Sequence, residues 1–121
     1  MATNDQLQVI IENLRSAVPE LRGVIVATTD GLAIAHSLSS GDANRIAAMV
    51  ATALGLGKRI CDTIGGGALS ETSFSGATGQ VYVYAGGAKG VLGVLAGPGS
   101  NVGLIHLEAR DAAGKIQQIL G

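Results

Sequence analysis

The sequence predicts an α+β fold, a five-stranded antiparallel sheet with helices on both faces, and three observations carry that reading. Three stretches repeat their apolar residues at helical spacing and five short runs read as strands, in the order α-β-β-α-β-β-β-α. Every link between consecutive strands is short except the one filled by a helix, which makes the sheet antiparallel. The middle strands are almost continuously apolar, so both faces need cover, and three helices can supply it. At 121 residues the chain is one domain, spanning 1–121.

The first helix runs from about Asn4 to Val18, where Leu7, Ile10, Ile11, Leu14, Ala17 and Val18 recur at i, i+3, i+4 and i+7. Thr3 with Gln6 fits a capping box, and Pro19 stops the helix because the residue before proline leaves the α region. Gly23 to Thr29 is an apolar strand that ends at Asp30-Gly31, a two-residue hairpin signal with φ > 0 at both positions. Leu32 to Ser37 returns. That turn sets Ile34 opposite Ala27 and Ala35 opposite Val26, large against small.

Ser39-Ser40-Gly41-Asp42 opens the second helix, Ala43 to Ile64, with a serine cap and Asp42 in the positive first turn; Gly65-Gly66-Gly67 ends it. Between Arg45 and Lys58 it has no charge, and apolar residues cover more than half its circumference, so it is expected to be buried on more than one side. Ile46, Val50, Leu54, Cys61 and Ile64 form the side expected to meet the protein's own sheet.

Leu69 to Ser75 is polar, as an edge strand would be. Gln80 to Ala85 alternates Val81 and Val83 against Tyr82 and Tyr84, and Val91 to Ala96 is the last strand. Ser100-Asn101 caps a final helix to about Leu120, with Val102, Ile105, Ala109, Ala112, Ile116 and Ile119 on its inner face.

The order of elements, the Gly23-Val-Ile-Val-Ala-Thr-Thr-Asp-Gly-Leu-Ala-Ile-Ala35 hairpin, the long apolar helix and the closing Asn101-Val-Gly-Leu-Ile-His-Leu-Glu-Ala-Arg110 resemble the roadblock / dynein light-chain superfamily, above all its prokaryotic branch like the gliding protein MglB. Family members often carry proline where this chain has Ala33, and alanine suits a strand equally well. The resemblance implies a roadblock / profilin-like three-layer domain. It also implies a homodimer in which the third strand pairs with its twin and the second helices lie side by side. A non-enzymatic role is implied too: prokaryotic members are associated with small Ras-like GTPases as activators or regulators of GTP hydrolysis, while eukaryotic relatives are dynein subunits or GTPase scaffolds.

Composition agrees with a protein that binds others. Charged residues are 14%, against about 25% in ordinary soluble domains, so little of the surface is built to stay wet and an oligomer is favoured. A net charge of −1 without any basic cluster argues against nucleic acid. The lone Cys61 allows no internal disulfide and points to a reducing cytoplasm. The first residues lack the basic and apolar regions of a signal peptide. The charge-free run from Gly90 to Leu107 is broken by Gly97-Pro98-Gly99, so no membrane insertion is expected.

No constellation here marks a catalytic, cofactor or metal site. Gly97-Pro-Gly-Ser-Asn-Val102 lies where a phosphate cradle would, but Val102 replaces the third glycine and no second βα unit follows, so a tight strand-to-helix turn is the better reading. Gly55-Leu-Gly-Lys-Arg59 lacks the hydroxyl and the first glycine of a P-loop and lies inside a helix. His36, His106 and Cys61 match no metal signature; His36 is expected to be partly buried on the face of Ile34. Tyr82 and Tyr84 share a sheet face, where a covering helix is the default; a small-molecule sensor using that face or the Gly65-Gly66-Gly67 loop is the alternative. The remaining candidates are contact residues. Ala48, Thr52 and Gly55, small enough for a close helix approach, and Ser70, Thr72 and Phe74 of the edge strand are expected at the dimer interface. Arg45, Met49, Leu56 and Arg59 are expected to meet a further partner, a small Ras-like GTPase or the rest of a larger complex for which the chain is an adaptor.

Overall fold

The computed structural model describes residues 2–39 and 41–121. The elements are α1 (Thr3–Ala17), β1 (Gly23–Thr28), β2 (Ala33–His36), α2 (Ala43–Thr63), β3 (Glu71–Ser75), β4 (Gln80–Gly86), β5 (Gly90–Ala96) and α3 (Val102–Leu120). The five strands form one antiparallel sheet in the order β2-β1-β5-β4-β3. The architecture is the α+β three-layer arrangement read from the sequence.

Strand side chains alternate between faces, and the alternation builds two cores. Val24 and Val26 of β1, Tyr82 and Tyr84 of β4 and Leu92, Val94 and Ala96 of β5 face α1 and α3. From the helices come Leu7, Ile11, Leu14, Ile105, Ala109 and Ile116, which complete the larger core. Ile25 and Ala27, Val83 and Val91 face the other way, onto Ala47, Val50, Ala51 and Leu54 of α2. The default reading of the tyrosines holds: α3 covers them, and both are buried.

The structure corrects the sequence reading in several places. Thr3 is already helical, Ala2 is the N-cap, and no side chain caps α1, so the capping box is absent. The β1–β2 turn has three residues. Thr28 N–H donates to the Leu32 carbonyl and Gly31 N–H to the Thr28 carbonyl, and only Gly31 has positive φ, at 92°. This is a tight turn closed by a left-handed glycine, which needs one such residue where the two-residue turn needs two. The longer loop shifts the register at the Val26/Ala27 step: Val26 stays opposite Ala35, but Ala27 meets Ala33. Ile34 therefore bulges onto the same core as Ala35, and His36 is exposed, its Nδ1 accepting from Leu38 N–H at 3.1 Å.

At the start of α2 the N-cap is Asp42 and not a serine, and it makes no side-chain capping bond; of the two serines before it, Ser40 lies outside the described residues. The C-terminus closes as the glycine run predicts, with Gly66 N–H on the Cys61 carbonyl and Gly65 N–H on the Asp62 carbonyl. The last turn of α2 leaves the sheet, so Ile64 is 73% exposed instead of packed on it. Leu69 precedes β3 and packs on Gly57. Val102 is likewise exposed and lies outside the core that α3 helps to build.

Candidate interaction face

The two sheet faces are covered unequally. Strands lie about 4.8 Å apart, so five span ~19 Å, and packed helices sit 8–10 Å apart. Two helices can roof one face; one cannot roof the other. Lone α2 crosses its face obliquely and reaches every strand. It sits close because its buried side is small, Ala47 and Ala51 between Val50 and Leu54, and because Gly93 lies beneath it. A Cβ on Gly93 would come within 2.9 Å of Ile25 Cγ2 and 3.3 Å of Val50 Cγ1.

The corner that α2 leaves bare is an apolar groove of about 350 Å³ beside the β3 edge. Val81, Val83 and Leu95 make its floor, Ile46, Met49, Val50 and Ala53 its wall, and Phe74 its lip. Met49 and Phe74 are 58% and 53% exposed. The apolar stripe continues along α2 through Leu56, Ile60 and Ile64, all exposed, around a second hollow that also includes Arg59 and Thr63. Large apolar side chains gathered like this on a small domain mark an interaction surface.

The residues singled out from sequence divide around this groove. Met49 and Phe74 line it together, and Leu56 and Arg59 line the adjoining hollow. Thr72 shares the Phe74 face, since it pairs with Val83. Ser70 is exposed just before β3, with its carbonyl taken by Ala85 N–H. Ala48, Thr52 and Gly55 are exposed on the outer side of α2 and do not reach the groove. Thr52 Oγ1 donates to the Ala48 carbonyl at 2.8 Å, and Ala48 lies under the hairpin glycine Gly31. Arg45 is exposed and pairs with Asp42 at 3.6 Å.

On the opposite face of the same edge the structure brings together a polar cluster that sequence reasoning missed. Glu71 of β3 stands opposite Tyr84 of β4. Its Oε1 accepts from Arg110 Nε at 2.9 Å, and its Oε2 lies 3.0 Å from His106 Nδ1. The Tyr84 hydroxyl lies 2.8 Å from the same nitrogen. Burial foremost, then the Glu71 charge, pushes the Tyr84 phenol well above its usual range. The hydrogen bond to Glu71 raises Arg110 further. The cluster fastens β3 to α3 and holds the Glu71 side chain over the sheet. The available signal was His106 and Arg110 four residues apart on one helix side, with Glu71 the single charge in β3.

The turn weighed as a phosphate cradle is already occupied by the chain itself. Glu20 Oε1 accepts from Asn101 N–H at 3.0 Å, Asn101 Oδ1 from Leu104 N–H at 3.1 Å, and Ser100 donates to the Gly97 carbonyl. A carboxylate thus sits at the helix N-terminus where an anion would bind. Among the described residues no group of three metal-ligating side chains converges, and no helix is long and apolar enough to cross a membrane.

The Roadblock/LC7 domain model matches residues 8–96, most of the chain and both walls of the groove. The chain belongs to the Roadblock/LC7 family. A curated relative, the uncharacterized protein MJ0310 of Methanocaldococcus jannaschii, is 37% identical over 98 residues, covering 80% of this chain and 85% of its own. Two solved structures share the fold. The gliding protein MglB of Thermus thermophilus superposes with a TM-score of 0.88 at 16% identity, over 99% of this chain and 92% of its own. An MglB described in a tetrameric arrangement superposes with 0.89 at 17%, over 99% and 91%.

Proposed function

We propose that this roadblock domain works as a homodimeric regulatory subunit that binds a small Ras-like GTPase and modulates its nucleotide cycle, with the chemistry left on the GTPase. The apolar groove beside an unpaired edge strand carries the self-association part of the reading. Its lining has no polar group to orient a small ligand, and the tyrosine face weighed for a sensor is under α3. Both points favour a protein partner over a metabolite. The GTPase part rests on the family resemblance, and the exposed Leu56, Ile60, Arg59 and Arg45 side of α2 supplies a mixed apolar and basic surface. Such a subunit acts by binding one nucleotide state of its partner better than the other, because only differential affinity shifts an equilibrium.

The test uses purified small Ras-like GTPases, loaded with GDP or a GTP analogue, in pull-down and single-turnover hydrolysis. Binding that differs between the two states, with a changed hydrolysis rate, is expected. Absence of binding in both states refutes the GTPase reading. Binding with an unchanged rate leaves the adaptor role.

A further inference from the structure

We infer that His106 is a modification site. Its Nε2 is a fixed, bare nucleophile that accepts a phosphoryl group from a small donor with a good leaving group. Glu71 is the positioning residue, and Arg110 stands ready to pair with the phosphoryl oxygens.

The contacts at Nδ1 set the tautomer. His106 Nδ1 lies 3.0 Å from Glu71 Oε2 and 2.8 Å from the Tyr84 hydroxyl. A carboxylate can only accept, so a bare Nδ1 would set two lone pairs against each other. The ring proton therefore sits on Nδ1, shared between Glu71 and the Tyr84 oxygen, and the neutral ring keeps its free electron pair on Nε2. Among the described residues nothing bonds to Nε2, and no side-chain nitrogen without a partner is buried. That electron pair faces solvent.

The other histidine is arranged the opposite way. Leu38 N–H donates to His36 Nδ1 at 3.1 Å. The neutral His36 ring thus holds its proton on Nε2, and its single lone pair is already engaged. His36 is exposed and His106 only partly so, which would rank their reactivity in reverse if exposure alone decided it.

Glu71 orients more than the ring. Its Oε1 accepts from Arg110 Nε at 2.9 Å, so one carboxylate holds two side chains that stand one turn apart on α3. Arg110 is exposed, and its Nη groups have no partner among the described residues. Such a fork matches phosphoryl oxygens. In the transfer the Nε2 electron pair forms the N–P bond, and the donor's bond to phosphorus breaks with its electrons going to the leaving group. The ring becomes cationic and keeps its Nδ1 proton. Glu71 meets that charge from behind, as an orienting carboxylate does for a reacting histidine.

Phosphoramidate, whose leaving group is ammonia, is the probe. The folded chain is incubated with it, and the acid-labile adducts are located by mass spectrometry and phosphorus NMR. Labelling of His106 at Nε2 is expected about tenfold faster than labelling of His36, because a hydrogen bond must break before His36 can react. His36→Gln should leave the His106 rate unchanged. Glu71→Gln should slow it about tenfold and mix the two tautomers, which nitrogen-edited NMR reads directly. The site is refuted by labelling of His36 as fast as His106, by no adduct on His106, or by a proton on His106 Nε2 in the parent's spectrum. Parental rate and tautomer in Glu71→Gln refute Glu71 as the positioning residue. If that variant does not fold, the parent's own spectrum and its ratio of the two labelling rates still decide.

Discussion

Replacing Phe74 by alanine should weaken self-association by about 10- to 200-fold while leaving the monomer folded. The ring forms the lip of the groove and is 53% exposed, so about half of its surface is left for a partner to cover. Full burial of a phenylalanine side chain is worth about 1.5–3 kcal/mol, so the exposed half is worth ~0.8–1.6 kcal/mol. A two-fold interface loses the ring twice, which makes ~1.6–3.2 kcal/mol, and every 1.4 kcal/mol is about tenfold in Kd. The half already packed on Val81 costs the monomer a similar ~1 kcal/mol, well inside a domain's usual 5–15 kcal/mol. Sedimentation equilibrium over a concentration series measures the first quantity, and urea unfolding at low concentration measures the second. A dissociation constant within about threefold of the parent's would show that the groove is not where two copies meet.

Two further substitutions have definite expected outcomes. Tyr84→Phe should cost about 1–2 kcal/mol in urea unfolding, because it removes the hydroxyl partner of His106 in a partly buried network. Its pH profile adds a signature. The folded state holds the phenol proton more tightly than the unfolded chain, whose tyrosine titrates near 10.0. The stability this gives is therefore full below that pH and is lost as pH rises above it. Urea midpoints taken from pH 8 to 11 should fall more steeply above pH 10 for the parent than for Tyr84→Phe; parallel profiles would remove Tyr84 as the cause. Gly31→Ala should destabilise the domain by at least about 1–2 kcal/mol, since Gly31 has φ of 92° and a Cβ there would lie 3.2 Å from Ala48 Cα. A melting temperature unchanged by this substitution would show that the hairpin turn relaxes without disturbing α2.

Much of this fold was legible because its signals are local. The 3.6-residue repeat of Leu7, Ile11 and Leu14 and the two-residue alternation of Val81–Tyr84 each report on one element and need no knowledge of its neighbours. The errors came where a local rule met a tertiary alternative. Asp30-Gly31 signals a turn in either loop length, and only the pairing of Thr28 with Leu32 decides which; the loop length then decided where Ile34 and His36 point. The apolar breadth of α2 divides into one buried side, Ala47, Val50, Ala51 and Leu54, and an exposed apolar flank through Met49, Leu56 and Ile60. Helical angles alone could not say which flank faces bare sheet, because that depends on how obliquely the helix crosses five strands. The small residues Ala48, Thr52 and Gly55 lie on the exposed outer side of α2, and the groove opens on another flank, beside Met49, Ala53 and Phe74.

The sequence by itself determined the order and kind of the elements, the antiparallel sheet, the membership of a family built on that pattern and a surface short of charge. Tertiary structure alone decided three things. It covered one sheet face with two helices and the other with one, which leaves the groove. It set the parity of the β3–β4 ladder, which turns the backbone of Glu71, Ser73 and Ser75 outward. It gathered Glu71, Tyr84, His106 and Arg110 from three elements into one cluster. Each depends on distances between segments far apart in the chain, and periodicity within a segment carries no information about them.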